Sequence, residues 1–320
     1  MSQCLSRYRP FLSSSVLALS IALLLSSGGR SLAQSSQDRA DVARTQTEVG
    51  PGVSATGEVD GHAASSPNDA DLGEQAILKR SDRYQPFTAT AVVPCYWTSN
   101  VALTNSHEQD DFLVAPAVGL SYQPRISNTL YGLASVREQL FYYNEFDELN
   151  FGSFDAEAGL IYIVPQWHNL VLRGEFIYNR LTDKNSFEAF FNNYSIFVAA
   201  DLPFRIGRAQ TVSIGVDANI SVEADPEPPR RNDYDVYISY SVNLTRSFSF
   251  DAVGRIVTRT YQLTDRVDVS EVLAASASYK VTDFLTASAI SSFAANQSNH
   301  DVFNYKVGNL GGLLSLSVKF

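Results

Sequence analysis

Apolar and polar residues alternate with a period of two through most of this chain from residue 95 onward. Residues 211–222 show it most plainly. Val212, Ile214, Val216, Ala218, Ile220 and Val222 fall on one phase, with Thr211, Ser213, Asp217, Asn219 and Ser221 on the other. The next run repeats the pattern, with Tyr234, Val236, Ile238, Tyr240, Val242 and Leu244 set against Asp233, Asp235, Ser239, Ser241 and Asn243. Successive side chains of a strand point to opposite faces, so each run predicts a strand with one greasy and one polar face. No helical period is sustained. The pattern predicts twelve strands, at 95–104, 112–123, 129–143, 151–164, 170–181, 190–204, 210–222, 233–244, 248–261, 269–280, 284–295 and 308–320. The fold expected is all-β: a closed antiparallel up-and-down transmembrane β-barrel of about twelve strands, ten and fourteen being the neighbouring counts.

The connections point the same way. These boundaries leave gaps that alternate long and short, from seven and five residues early in the chain to ten, three and twelve late in it. Outer-membrane barrels sort their connections so, with short periplasmic turns and longer outer loops. Short gaps carry turn chemistry, as at Gln123-Pro124-Arg125, Val164-Pro165-Gln166 and Val281-Thr282-Asp283. An even strand number places both barrel ends, and whatever precedes them, on the periplasmic side. The mean hydropathy of −0.09 fits, because only every second barrel residue meets lipid.

The first 94 residues are different material. Arg7 and Arg9 precede a short apolar run, Val16 to Leu25, and Ser31-Leu32-Ala33 offers a small-x-small cleavage site. Residues 1–33 are therefore expected to be a signal peptide cleaved after Ala33, since the run is short for a transmembrane anchor. Residues 34–94 read as a flexible periplasmic leader. They are rich in Ser, Ala, Gly and Asp and hold no aromatic residue before Tyr84, so they bury too little apolar surface to order themselves. One helical turn or two is expected at Ala76 to Arg83. The barrel is assigned to 95–320. Loss of Arg7, Arg9 and Arg30 with the signal takes the formal charge from −10 to −13, which would repel nucleic acid. Of two cysteines, Cys4 leaves with the signal and Cys95 stays without a partner, so no disulfide is expected.

The last ten residues read Gly-Gly-Leu-Leu-Ser-Leu-Ser-Val-Lys-Phe, with Leu314, Leu316, Val318 and Phe320 on one face. This resembles the C-terminal signal of bacterial outer-membrane proteins, a last apolar-alternating strand ending in an aromatic residue. The resemblance is to that porin-like class and not to a particular family. It implies the cell outer membrane of a Gram-negative-type envelope, with outer-membrane lipid and the barrel-assembly machinery as partners.

If the apolar phase meets lipid, the polar phase lines the lumen. Asp155, Glu157, Arg173, Glu175, Asp217, Asp235, Asp251, Arg255, Arg259 and Glu271 are then expected to point inward, together with Ile161, Ile163, Phe197 and Tyr237. An acidic excess in a partly filled lumen predicts a small or gated channel for passive transport of ions or small solutes, biased to cations. Two readings stand beside it. A structural or adhesive barrel would act through its outer loops. An outer-membrane hydrolase would need His107, Asp110, Asp111, His300 and Asp301 to cluster on the outer rim when the barrel closes, an arrangement that faintly resembles the outer-membrane aspartyl-type proteases. The twelve-stranded outer-membrane phospholipase pattern is present only in the wrong order, at Asn296 to His300, so no catalytic role is carried over. Autotransporter translocators also have twelve strands, but the leader is short and polar for a passenger. No catalytic, cofactor or metal residues are assigned, since no phosphate loop or Cys/His zinc spacing occurs.

Overall fold

Thirteen strand segments join in one antiparallel sheet that closes on itself. The computed structural model describes residues 36–42, 84–184, 186–207 and 209–320. The segments are β1 (Phe87–Thr98), β2 (Asp111–Val114), β3 (Ala117–Tyr122), β4 (Leu130–Tyr143), β5 (Phe151–Val164), β6 (Leu170–Asp183), β7 (Ala189–Ile206), β8 (Gln210–Asp225), β9 (Arg231–Asn243), β10 (Phe248–Tyr261), β11 (Val267–Lys280), β12 (Leu285–Ser298) and β13 (Tyr305–Lys319). Segments β2 and β3 are consecutive stretches of one stave, both paired with β1 and with β4. Pro116, which has no N–H to give to a ladder, lies between them. The barrel therefore has twelve staves, as the alternation predicted.

Closure is by β13 on β1, in register from Thr88↔Lys319 to Thr98↔Asn309. The last residue is sewn into this seam. The Phe87 N–H donates to the Phe320 carbonyl (3.1 Å), and the Phe320 N–H donates to the Phe87 carbonyl (3.0 Å). The Phe87 ring stacks on Phe320 at 5.6 Å and on Tyr122 at 4.5 Å. No sheet edge is left open, which is the condition for a strand assembly to sit in lipid.

The outward face has the layout a bilayer selects. Aliphatic side chains such as Val118, Leu160, Val198, Ile214, Val216, Val236, Ile238 and Leu314 are exposed around its middle. Exposed aromatics flank them at both levels: Phe87, Tyr122, Tyr162, Tyr279, Phe284 and Phe320 toward the rim that carries the chain ends, and Trp97, Phe112, Tyr142, Tyr194, Tyr234 and Phe293 toward the opposite rim. An apolar band between aromatic girdles marks a transmembrane barrel. The opposite phase is buried inside and polar.

Three expectations need correction. The first strand runs from Phe87 to Thr98, not from 95 to 104. Its early part alternates Thr88 and Thr90 with Ala89 and Ala91, side chains too small to give a clear apolar signal. Residues 99–104 instead form a loop, where the Asn100 side chain donates to the Thr104 carbonyl (2.7 Å) and accepts from the Thr104 N–H (3.0 Å). Secondly, the connections do not alternate as sharply as the pattern suggested. The gaps expected at 223–232 and 296–307 shrink to 226–230 and 299–304, because β8, β9, β12 and β13 continue through polar residues. Backbone pairing needs no apolar side chain, so the ladder outlasts the alternation. The contrast survives only weakly. The loops of the opposite rim are 99–110, 144–150, 184–188, 226–230, 262–266 and 299–304, and those of the terminus-bearing rim are 123–129, 165–169, 207–209, 244–247 and 281–284. Thirdly, residues 36–42, read as part of a flexible leader, form a helix inside the barrel. The composition argument weighed the segment's own apolar content, whereas this helix is held by the barrel wall, through Arg231 as well as through apolar contacts of Ala40 and Val42. The signal segment 1–33 and the turn considered at 76–83 lie outside the described residues.

Candidate functional site in the lumen

The inward phase of the strands builds the site. Asp155, Glu157, Arg173, Glu175, Asp217, Asp235, Asp251, Arg255 and Arg259 all face inward as expected, and all but Asp251 line a central cavity of about 310 Å³. Glu271 does not. On β11, Asp268, Ser270, Val272 and Ala274 are buried inside, whereas Glu271 shares the exposed phase with Val267, Val269 and Leu273. It lies two staves from the outward Lys306, in the row Glu271↔Ala295↔Lys306 toward the opposite rim. Apolar residues on both phases of β11 hid its true direction.

Around the cavity, Asp41, Asp155, Glu157, Glu175, Asp217, Asp233 and Asp235 face the four guanidiniums of Arg137, Arg173, Arg255 and Arg259. Every luminal cation lining it is arginine. Arg173 lies 3.7 Å from Glu175 and over the Phe197 ring at 5.1 Å. Arg255 lies 3.6 Å from Asp235 and over the Tyr237 ring at 5.9 Å. Both contacts are longer than a direct hydrogen bond, and Glu175 Oε1, Asp235 Oδ1, Arg173 Nε and Arg255 Nε have no protein hydrogen-bond partner. Buried polar atoms of this kind belong beside water. Asp217 and Asp235 are direct cross-strand neighbours, two carboxylates side by side on the inner wall.

Other stretches of the inner wall are apolar, and several of the polar groups around the cavity are hydrogen-bonded to the wall itself. Tyr131, Ile161 and Ile163 pack together toward the terminus-bearing rim. Ser135 donates to Glu157 (2.8 Å), Asn179 to Asp155 (2.6 Å) and Ser241 to Asp251 (2.6 Å). Arg259 donates to Ser270 (2.5 Å), which donates to Asn296 (2.5 Å). Tyr237 lies directly over Gly215, where even a Cβ would meet its ring at 2.2 Å.

The helix 36–42 sits between this cavity and the opposite rim. Ala40, 2% exposed, packs in a cluster with Tyr96, Leu113, Phe141, Phe151, Leu181 and Phe191. Val42 leans on Val272, Tyr305 and Val307. Asp38 and Asp41 both accept from Arg231, whose Nε donates to Asp233 at 3.0 Å. Sequence reasoning missed this assembly, because it placed Arg231 in a loop and Asp38, Arg39 and Asp41 in a leader. The signal available was two aspartates three apart, which one helix turn puts on a single face.

The rim residues weighed for hydrolysis are brought near but not joined. The Asn105 side chain donates to the Asp301 carbonyl (3.2 Å), so the loops 99–110 and 299–304 do meet. His300, however, pairs with Asp265 at 2.8 Å, and that bond holds the exposed Asp265 carboxyl below its ordinary range. Asp111 is buried and accepts from the N–H groups of Phe112, Glu145 and Phe146. Asp110 accepts from the Trp97 indole (2.9 Å). Among the described residues, no three His, Cys, Asp or Glu side chains are placed to share a metal ion.

A closed antiparallel sheet with aromatic girdles outside and charge inside defines the class of outer-membrane β-barrels. Comparison with solved structures agrees. An outer-membrane channel from Pseudomonas putida F1 superposes with a TM-score of 0.53 at 10% identity, covering 74% of this chain and 97% of that one. The translocator domain of the autotransporter NalP from Neisseria meningitidis (TM-score 0.45, 11% identity, 75% and 90% covered) and the KdgM porin (0.38, 7%, 70% and 97%) are more distant. At these identities the likeness is one of fold. No protein-family model and no curated protein matches the sequence.

Proposed function

We propose that this barrel is a small channel of the outer membrane for passive passage of ions or small hydrophilic solutes, selective for cations. The observation that carries the reading is the charged cavity of about 310 Å³ across the middle of the lumen, at a level where the outer face is apolar. A barrel with a purely structural role gains nothing from burying carboxylates and guanidiniums such as those of Glu175, Asp235, Arg173 and Arg255, each of which keeps one polar atom without a hydrogen bond. Among the described residues the rim supplies no comparable grouping for hydrolysis, His300 being paired with Asp265 and Asp111 with backbone N–H groups. We further propose that the chain arrives by export with cleavage after Ala33, and that its last strand, ending at Phe320, is what the barrel-assembly machinery binds.

The acidic majority around the cavity sets the selectivity. Neutralising Asp217 and Asp235 together to Asn is expected to move the reversal potential of the conducting barrel, in a salt gradient across a planar bilayer, clearly toward zero. Asn matches Asp in size and both side chains point into the lumen and not onto the lipid face, so the barrel is expected to assemble, which heat-dependent gel mobility checks. A reversal potential that stays at the parent's value would place conduction somewhere other than this path.

A further inference from the structure

We propose that the helix 36–42 is the channel's own gate, latched in the lumen by the two carboxylates of Asp38 and Asp41 on the single guanidinium of Arg231. The proposal rests on the channel reading, but the latch can be tested without conduction.

The seat is specific. Arg231 opens β9 next to the opposite rim, paired in register with Tyr261 of β10, and its side chain is 1% exposed. Its Nη1 meets Asp38, its Nη2 meets Asp41 and its Nε meets Asp233. All faces of the fork are used, two of them by the helix. A buried guanidinium strengthens such bonds and makes the loss of its partners costly. The remaining contacts of the helix are apolar or cation–ring contacts, with no second ion pair to the barrel wall among the hydrogen bonds described. Its apolar contribution is Ala40 and Val42, and Arg39 donates to Ser36 of the same helix (2.9 Å) while lying over the Tyr143 and Phe151 rings. Asp233 stays behind to pair with Arg231 when the helix leaves, so the empty seat is itself tolerable. An arrangement held by charge, with its anchor already neutralised by a wall residue, suits a plug that comes and goes. The position matters too. Gln37, Ala40 and Asp41 form one wall of the central cavity, so departure of the helix would extend that cavity toward the opposite rim.

The test uses the signal-free chain with Cys95 replaced by Ser and Ser36 by Cys, a near-isosteric thiol at a site 3% exposed. A bulky maleimide labels this thiol only when the helix leaves its seat. Asp38→Asn with Asp41→Asn, both outside the barrel ladder, is expected to raise the labelling rate at least tenfold and to raise the open probability in bilayers. Heat-dependent gel mobility confirms that both proteins are folded. Equal labelling rates in parent and variant, whether fast or slow, would overturn the latch. Faster labelling with no change in conductance would uphold the latch and count instead against the channel.

Discussion

Replacing Gly311 by Ala is expected to leave the chain unable to close its barrel, whereas the same change at the neighbouring Gly312 is expected to be nearly silent. Gly311 lies in the seam, opposite Tyr96 of β1. A Cβ there would stand 2.2 Å from the Cys95 carbonyl oxygen and 2.3 Å from the Tyr96 Cβ. Neither obstacle is the free end of a flexible side chain, and Tyr96 is 2% exposed with no room to retreat. At Gly312 the nearest atom is the Ser288 carbonyl at 3.6 Å, an ordinary contact. Overpacking a tight site costs about 1–3 kcal/mol, and more where backbone must yield. A seam that cannot form leaves two strand edges in lipid, so the penalty falls on the whole assembly. Heat-dependent gel mobility after refolding reads the outcome. A folded band for Gly311→Ala as strong as that for Gly312→Ala would show that the seam is looser than described.

The second large effect concerns the outward face. Ile238 is 56% exposed at the middle of β9, directly opposite Ile214 of β8. Ile238→Arg puts a guanidinium where lipid chains belong, at a cost of about 2–4 kcal/mol near the midplane. Leu244 is as exposed, but it lies in the turn 244–247 at the terminus-bearing rim. Leu244→Arg should cost at most about 1 kcal/mol at that depth. Urea unfolding in lipid vesicles is expected to separate the two by at least about 1 kcal/mol. Equal losses would mean that the exposed band is not the lipid face.

Much of this architecture is written in the period-two alternation, and its failures have one physical origin. Alternation records which face meets lipid, so it locates strands well where lipid is present, as for β5 and β10, whose predicted and observed bounds agree. It falls silent where backbone pairing continues outside the apolar band, which is why Glu223 to Asp225 and Asn296 to Ser298 were read as loop. It also fails where both phases are apolar, which is how Glu271 came to be placed inward. The luminal charges were legible because burial in lipid is so costly that charge alone assigns a side. The plug was not legible. The spacing of Asp38 and Asp41 in Ser-Gln-Asp-Arg-Ala-Asp-Val gains meaning only once the guanidinium of Arg231, almost two hundred residues later, is known to face the same lumen.

The most direct test of an occluded channel is single-channel conductance in a planar bilayer, comparing the signal-free chain with a version lacking residues 34–80 but keeping Phe320. Small or infrequent steps are expected from the first and larger, persistent steps from the second. Silence from both, with folded barrels confirmed by gel mobility, would contradict the channel and leave a sealed barrel whose business is at its rim.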